Sequence, residues 1–161
     1  MISYEKTTTK IAAPKDAPIL TTISHAAKMH WNYPPEWMDL WKNDLVISAE
    51  YIRKHSVMKL VAGDEIAGFC AIESAENSYE ITHLWIHPKF IGNGFGTKLL
   101  NETIMAVVKP GTTIYVVADP NAEAFYRRMA FETVGKTESL PKGRFLPVMQ
   151  KIYRAPGNAS A

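Results

Sequence analysis

The sequence predicts a mixed α/β fold, a central and mostly antiparallel mixed sheet flanked by helices, and three observations carry that expectation. Strand-like runs at 57–61, 66–72 and 79–87 are separated only by Ala62-Gly63-Asp64-Glu65 and Glu76-Asn77-Ser78. Links that short join antiparallel neighbours. The grammar then changes to a glycine-rich loop, a helical periodicity over 97–108 and an apolar run over 112–118, a strand-helix-strand order that implies a parallel crossover. The length, 161 residues, suits one domain in which about 70% of the unfolded surface is buried.

In chain order, residues 2–11 read as a first strand. Residues 14–30 read as an amphipathic helix with Ile19, Leu20, Ile23, Ala26 and Ala27 on one face. Pro34-Pro35 stops any helix interior, and Pro35 can open a short helix through Trp41. Residues 48–54 form another helical turn or two, ahead of the three strands. After the strand at 112–118, Asp119-Pro120 supplies an N-cap and first-turn proline for a helix to about Met129, and 131–137 and 145–153 finish as strands. Residues 1–154 make a single domain, and 155–161 are expected to fray.

Composition narrows the function. The chain is 47% apolar and 21% charged, which excludes disorder and collagen-like repeats. No apolar run reaches the eighteen or so residues of a membrane span, and residues 1–10 lack the apolar core of a signal peptide, so the expectation is a cytoplasmic protein without a membrane partner. Cys70 is the only cysteine, which rules out an intrachain disulfide. His83 and His87 would lie roughly 13 Å apart on an extended strand, too far to share an ion, and His25 and His30 point apart on a helix; no metal is expected. A net charge of +2 with no basic-aromatic stripe argues against nucleic acid. Residues 1–80 carry net −3 and residues 81–161 net +5. That split suits a cationic ligand against the first half and a polyanionic one on the second, although chance on a solvated surface yields the same numbers.

The strongest local feature is His87-Pro88-Lys89-Phe90-Ile91-Gly92-Asn93-Gly94-Phe95-Gly96-Thr97, between a strand end and a helix start. Glycines there let successive backbone N–H groups face outward, and the helix start adds donors and positive dipole, an arrangement that receives phosphate. The spacing fits neither familiar nucleotide motif: a dinucleotide loop needs glycine where Thr97 stands, and a P-loop needs Gly-Lys-Ser/Thr where Thr97-Lys98-Leu99 stands.

This stretch resembles the core signature of the GCN5-related N-acetyltransferase (GNAT) family, in which Arg or Gln precedes G-x-G-x-Gly/Ala after a strand ending in Pro; residues 88–96 align with it without gaps. A second family signature, Asn-Pro-x-Ala-x-x-Phe-Tyr followed by Gly-Phe, lines up with Asp119-Pro120-Asn121-Ala122-Glu123-Ala124-Phe125-Tyr126 and with Ala130-Phe131. The resemblance covers about residues 57–153. It implies an acyl-CoA acyltransferase fold using acetyl-CoA as co-substrate and no metal, an acceptor that is a small-molecule or peptide amine, and it allows a homodimer. The implied cofactor contacts are Leu84, Ile86, Ile91, Gly92, Asn93, Gly94, Phe95, Gly96, Thr97, Asp119, Ala122, Phe125 and Tyr126. Three departures stand out. Ile91 replaces Arg or Gln and removes a side-chain contact to pyrophosphate; Asp119 replaces Asn and brings a charge near the cofactor; Ala130 replaces a C-cap glycine, so a regular left-handed cap is not expected.

Acetyl transfer to an amine needs a neutral nitrogen, support for a developing oxyanion and a proton for the departing thiolate. An alkylamine is almost wholly protonated at neutral pH, so a carboxylate or an ordered water must deprotonate it. The resemblance implies Glu80 as the base and Tyr126 as the proton donor; His83, close to Glu80 on the same strand, is a second candidate acid or base. The resemblance also implies that backbone near Leu84 and Ile86 pairs with pantetheine amides and supplies an oxyanion donor. Trp31, Tyr33, Glu36 and Trp37 lie where the family builds its acceptor pocket, and aromatic faces with carboxylates suit a cationic amine, while packing of a short helix on the sheet explains them equally. The rival to an enzyme is a non-catalytic acyl-CoA-binding or sensing module.

Overall fold

Alternating and short apolar runs place seven strands in one sheet of the computed structural model, which describes residues 6–156. They are β1 (Thr7–Ile11), β2 (Ser56–Ala62), β3 (Glu65–Ser74), β4 (Ser78–Ile86), β5 (Thr113–Val117), β6 (Glu132–Ser139) and β7 (Arg144–Ile152), in the spatial order β1-β2-β3-β4-β5-β7-β6. β2 to β4 form the expected antiparallel meander, β1 adds antiparallel to β2 after the intervening helices, and β5 lies parallel to β4. The parts of the first strand and of the tail at 1–5 and 157–161 lie outside the described residues.

The helices are α1 (Ala17–Met29), α2 (Pro35–Trp41), α3 (Ala49–Lys54), α4 (Phe95–Val107) and α5 (Glu123–Arg128). The expected helix from Pro14 begins instead as a 3-10 turn, Pro14–Asp16, in which Asp16 accepts from the Ala13 N–H at 2.7 Å. Ile19, expected on the apolar face of α1, is 49% exposed; Leu20, Ile23, Ser24 and Ala27 are buried. Adjacent residues on a helix sit about 100° apart, so Ile19 and Leu20 cannot both centre the stripe. α4 starts two residues earlier than its periodicity suggested, directly after Gly94.

α4 and α5 cover one face of the sheet over Leu60, Cys70, Ile72, Leu99, Leu100, Ile114 and Met149, and α1 and α3 cover the other over Leu20, Ile23, Ile52, Phe69 and Ala71. Burial on both faces explains why β3 reads as a near-continuous apolar run rather than an alternation. α5 ends in a Schellman cap: the Phe131 N–H donates to the Tyr126 carbonyl and that of Ala130 to Arg127, with Ala130 at φ +71°. The left-handed cap is therefore present without its glycine. Among the described residues no helix is long and apolar enough to cross a membrane.

Candidate functional site

Parallel pairing of β4 with β5 lasts only from Ser78↔Thr113 to Ile81↔Val116. Beyond it β4 stays on β3 as far as Ile86 and β5 stays on β7, so the sheet splits. A bulge assists: the β3/β4 register steps from Ala71↔His83 to Ile72↔Ile81, leaving Thr82 as the extra residue where the strands part. The opening is a cleft of about 620 Å³. Among the described residues, the backbone edge of β4 past Thr82 has no strand partner on the cleft side, while Leu84 and Ile86 pack on the α4–α5 core.

The glycine loop closes one end. Gly92 (φ +91°) and Gly94 (φ +73°) take backbone conformations that L side chains avoid, and a Cβ on either would meet nothing within 4 Å. The space over them is open, as close approach of a ligand to the backbone requires. Asn93 fastens the loop by donating to the Phe90 carbonyl at 2.9 Å. Gly96 lies against the Phe125 ring, 3.5 Å from where its Cβ would be. Phe95 and Thr97 line the same cleft, as do Ala122, Phe125 and Tyr126, and Ile91 stands at its rim, 51% exposed. Backbone donors, an αL glycine at the helix cap and open space above them fit a pyrophosphate.

Tyr126 is 5% exposed, edge-on to Phe125 and Phe131 with centroids 5.2 and 5.4 Å away, and its phenol has no hydrogen-bond partner among the described residues. Burial pushes its ionisation well above the ordinary phenol range, so it stays protonated and can donate.

Asp119 caps the turn after β5 by accepting from the Asn121 N–H at 2.9 Å, and it also accepts from Lys28 Nζ at 2.5 Å, Tyr33 Oη at 2.9 Å and Arg144 at 3.4 Å. Burial raises its pKa, but the Lys28 hydrogen bond and charge, with the other donors, hold it below the usual carboxylate value. Burial lowers the Lys28 pKa, and a carboxylate shared with Arg144 restores it only in part. The charge at Asp119 is thus met by two cations rather than left unpaired at the cleft.

Tyr33, Trp37 and Trp41 form one aromatic cluster, with centroids 4.9 to 5.9 Å apart. Its faces already hold the protein's own cations: Lys28 Nζ is 4.4 Å and the Arg144 guanidinium 4.6 Å from the Trp41 ring. Trp31 lines the cleft; Tyr33 reaches it through Asp119; Trp37 and the exposed Glu36 lie outside its lining. Glu80 is exposed, outside the lining, and opposite Glu73 of β3; burial and the Glu73 charge raise its pKa. His83 lines the cleft, and burial lowers its pKa to about 4. Lys28, Tyr51, Glu73, Thr82 and Arg144 are polar residues of this region that no sequence motif singled out.

A mixed sheet split between two parallel strands, with a glycine loop and helix start at the open end, defines an acyl-CoA-dependent acyltransferase architecture. The profile of the acetyltransferase (GNAT) domain matches residues 39–151, and the chain belongs to that family. Among solved structures, the PaiA N-acetyltransferase of Thermoplasma acidophilum, in complex with coenzyme A, is similar with a TM-score of 0.74 at 16% identity over 92% of this chain and 99% of that one. The ribosomal-protein alanine N-acetyltransferases of Escherichia coli (TM-score 0.70, 15% identity, 97% of this chain and 99% of that one) and Brucella melitensis (0.64, 20%, 90% and 99%) share the fold. A search of curated proteins found no match.

Proposed function

We propose that this protein transfers the acetyl group of acetyl-CoA directly to an amine of a small molecule or peptide. The observation that supports the reading is the split between β4 and β5, a cleft lined by the free edge of β4, the glycine loop and Tyr126. Bound acetyl-CoA would supply an activated acyl group with a thiol leaving group. Gly92 to Thr97 would hold its pyrophosphate through backbone donors, and the edge at Leu84 and Ile86 would orient its amide arm. Tyr126 would give a proton to the departing sulfur. A carboxylate of the β3–β4 pair would take the proton of the ammonium, and Glu80, its pKa raised by burial and by the Glu73 charge, is the one the resemblance implies.

A non-catalytic binding module is the competing reading. Incubation with acetyl-CoA and a panel of alkylamines and short peptides, followed by free-thiol release, separates the two, because a binding module releases no thiol. Tyr126→Phe then tests the acid: kcat should fall by about ten-fold or more while coenzyme A affinity is kept. A wild-type kcat with a normal pre-steady-state transfer rate would retire Tyr126 from that role.

A further inference from the structure

We propose that the proton of the acceptor ammonium leaves through Thr82 and Tyr51 to Glu73, a three-residue relay running from the cleft to the solvent side of β3; the proposal rests on the acetyl-transfer reading above. Thr82 is the bulge residue of β4, placed by the register step where β4 leaves β5, and it lines the cleft. Its Oγ1 is 2.6 Å from Tyr51 Oη, which donates to Glu73 Oε2 at 2.9 Å. Oγ1 also lies 3.3 Å from the Ala71 carbonyl, an acceptor toward which the same Thr82 proton can turn when it is not donated to Tyr51. The hydrogen-bond inventory gives the chain a direction. A carboxylate only accepts, and Tyr51 has one proton, so with that proton on Glu73 the short contact is Thr82 donating to Tyr51. The Thr82 oxygen keeps a lone pair for a donor in the cleft.

The other candidates are less well placed. Glu80 stands outside the cleft lining. His83 lines it, but its Nδ1 accepts from the Trp85 indole at 3.0 Å, so the neutral ring carries its proton on Nε2 and has no lone pair left for an ammonium. The groups facing Glu73 are Tyr51 from α3, Glu80 from β4 and the His83 imidazole, which also feels Asp44. No lysine or arginine forms an ion pair with Glu73 among the described residues. Burial and Glu73 both oppose ionisation of Tyr51, which therefore passes a proton without holding a charge.

The step balances. The ammonium gives one proton to Thr82 Oγ1 as the Thr82 proton moves to Tyr51 and the Tyr51 proton to Glu73, which releases it to solvent. The neutral nitrogen forms its bond to the acetyl carbon and the carbon–sulfur bond breaks; Tyr126 gives its proton to the departing sulfur, and the second nitrogen proton, passed through solvent, restores the Tyr126 phenol.

The test is kcat/KM against pH with the best amine of the panel, read by thiol release. Thr82→Val and Tyr51→Phe should each lower it about a hundred-fold at pH 7 with the acetyl-CoA KM unchanged, and the deficit should shrink toward pH 10, where the amine is already neutral. Thr82→Ser should restore most of the loss, and Glu73→Gln should abolish the acidic limb; a purely structural role would not give that pattern. Wild-type turnover with unaltered Thr82→Val and Tyr51→Phe profiles overturns the relay alone, as does an acidic limb removed by Glu80→Gln but kept by Glu73→Gln. Wild-type protein that binds coenzyme A by calorimetry yet releases no thiol overturns the acetyl-transfer reading and the relay with it.

Discussion

At the glycine-loop end of the cleft, consecutive residues from Pro88 to Thr97 shape the site with their own backbone, and the side chains matter mainly by being absent at Gly92 and Gly94. At the α1–α2 end, Lys28 of α1, Tyr33 of the α1–α2 connection, Asp119 after β5 and Arg144 of β7 meet, with hydrogen bonds spanning up to 111 residues. The first end is local, made of backbone and open. The second is non-local, charged and filled by its own cations. A ligand site built from backbone donors tolerates neighbours changing, whereas a buried ion cluster stands or falls with each member.

The largest effect should come from Asp119→Ala. It strands Lys28 and Arg144, whose side chains are about nine-tenths buried, and should cost about 4 kcal/mol in urea unfolding. Pairing Lys28→Met with Asp119→Asn should recover part of the loss; if Asp119→Ala costs no more than a surface change, the cluster is not what holds this end together. The sign in pH follows from Asp119 being held below its ordinary value: its contribution is present above the usual carboxylate range and lost as pH falls through the folded pKa.

His83 should give the next effect. The unfolded imidazole takes a proton near 6.5 and the folded one only near 4, so the unfolded state gains protons first as pH falls. Stability should therefore drop from pH 6.5 toward 4, by up to about 3 kcal/mol, and His83→Gln should flatten that part of the curve.

Gly94→Val probes the local end. A branched side chain at φ +73°, in the space above the loop, should weaken coenzyme A binding ten-fold or more by calorimetry, about 1.4 kcal/mol, while the fold survives. Unchanged affinity would detach the loop from the cofactor.

The smallest change is a gain. Ala130→Gly relieves a left-handed residue in an otherwise regular Schellman cap and should raise stability by about 1 kcal/mol without altering the cleft.

The glycine loop was legible because its chemistry is written in adjacent letters, and so were the meander and the crossover, which follow from link length. Asp119 was visible as an N-cap, but its partners were not, since nothing near residue 119 announces Lys28 or Arg144. The aromatic run at 31–41 is plain in the sequence, while the cations over its rings come from residues far along the chain or on another element. The Thr82 bulge had no sequence signal, because a one-residue register step leaves the pattern of Tyr79 to Ile86 unchanged.

By itself the sequence determined the order of elements, the parallel crossover and the position of the glycine loop, because periodicity, turn chemistry and glycine spacing act over a few residues. Only the tertiary structure decided where β4 and β5 part, which cations meet Asp119 and which carboxylate Tyr51 reaches. Those outcomes depend on distances between segments far apart in the chain, and burial sets their energies once the sheet has brought them together.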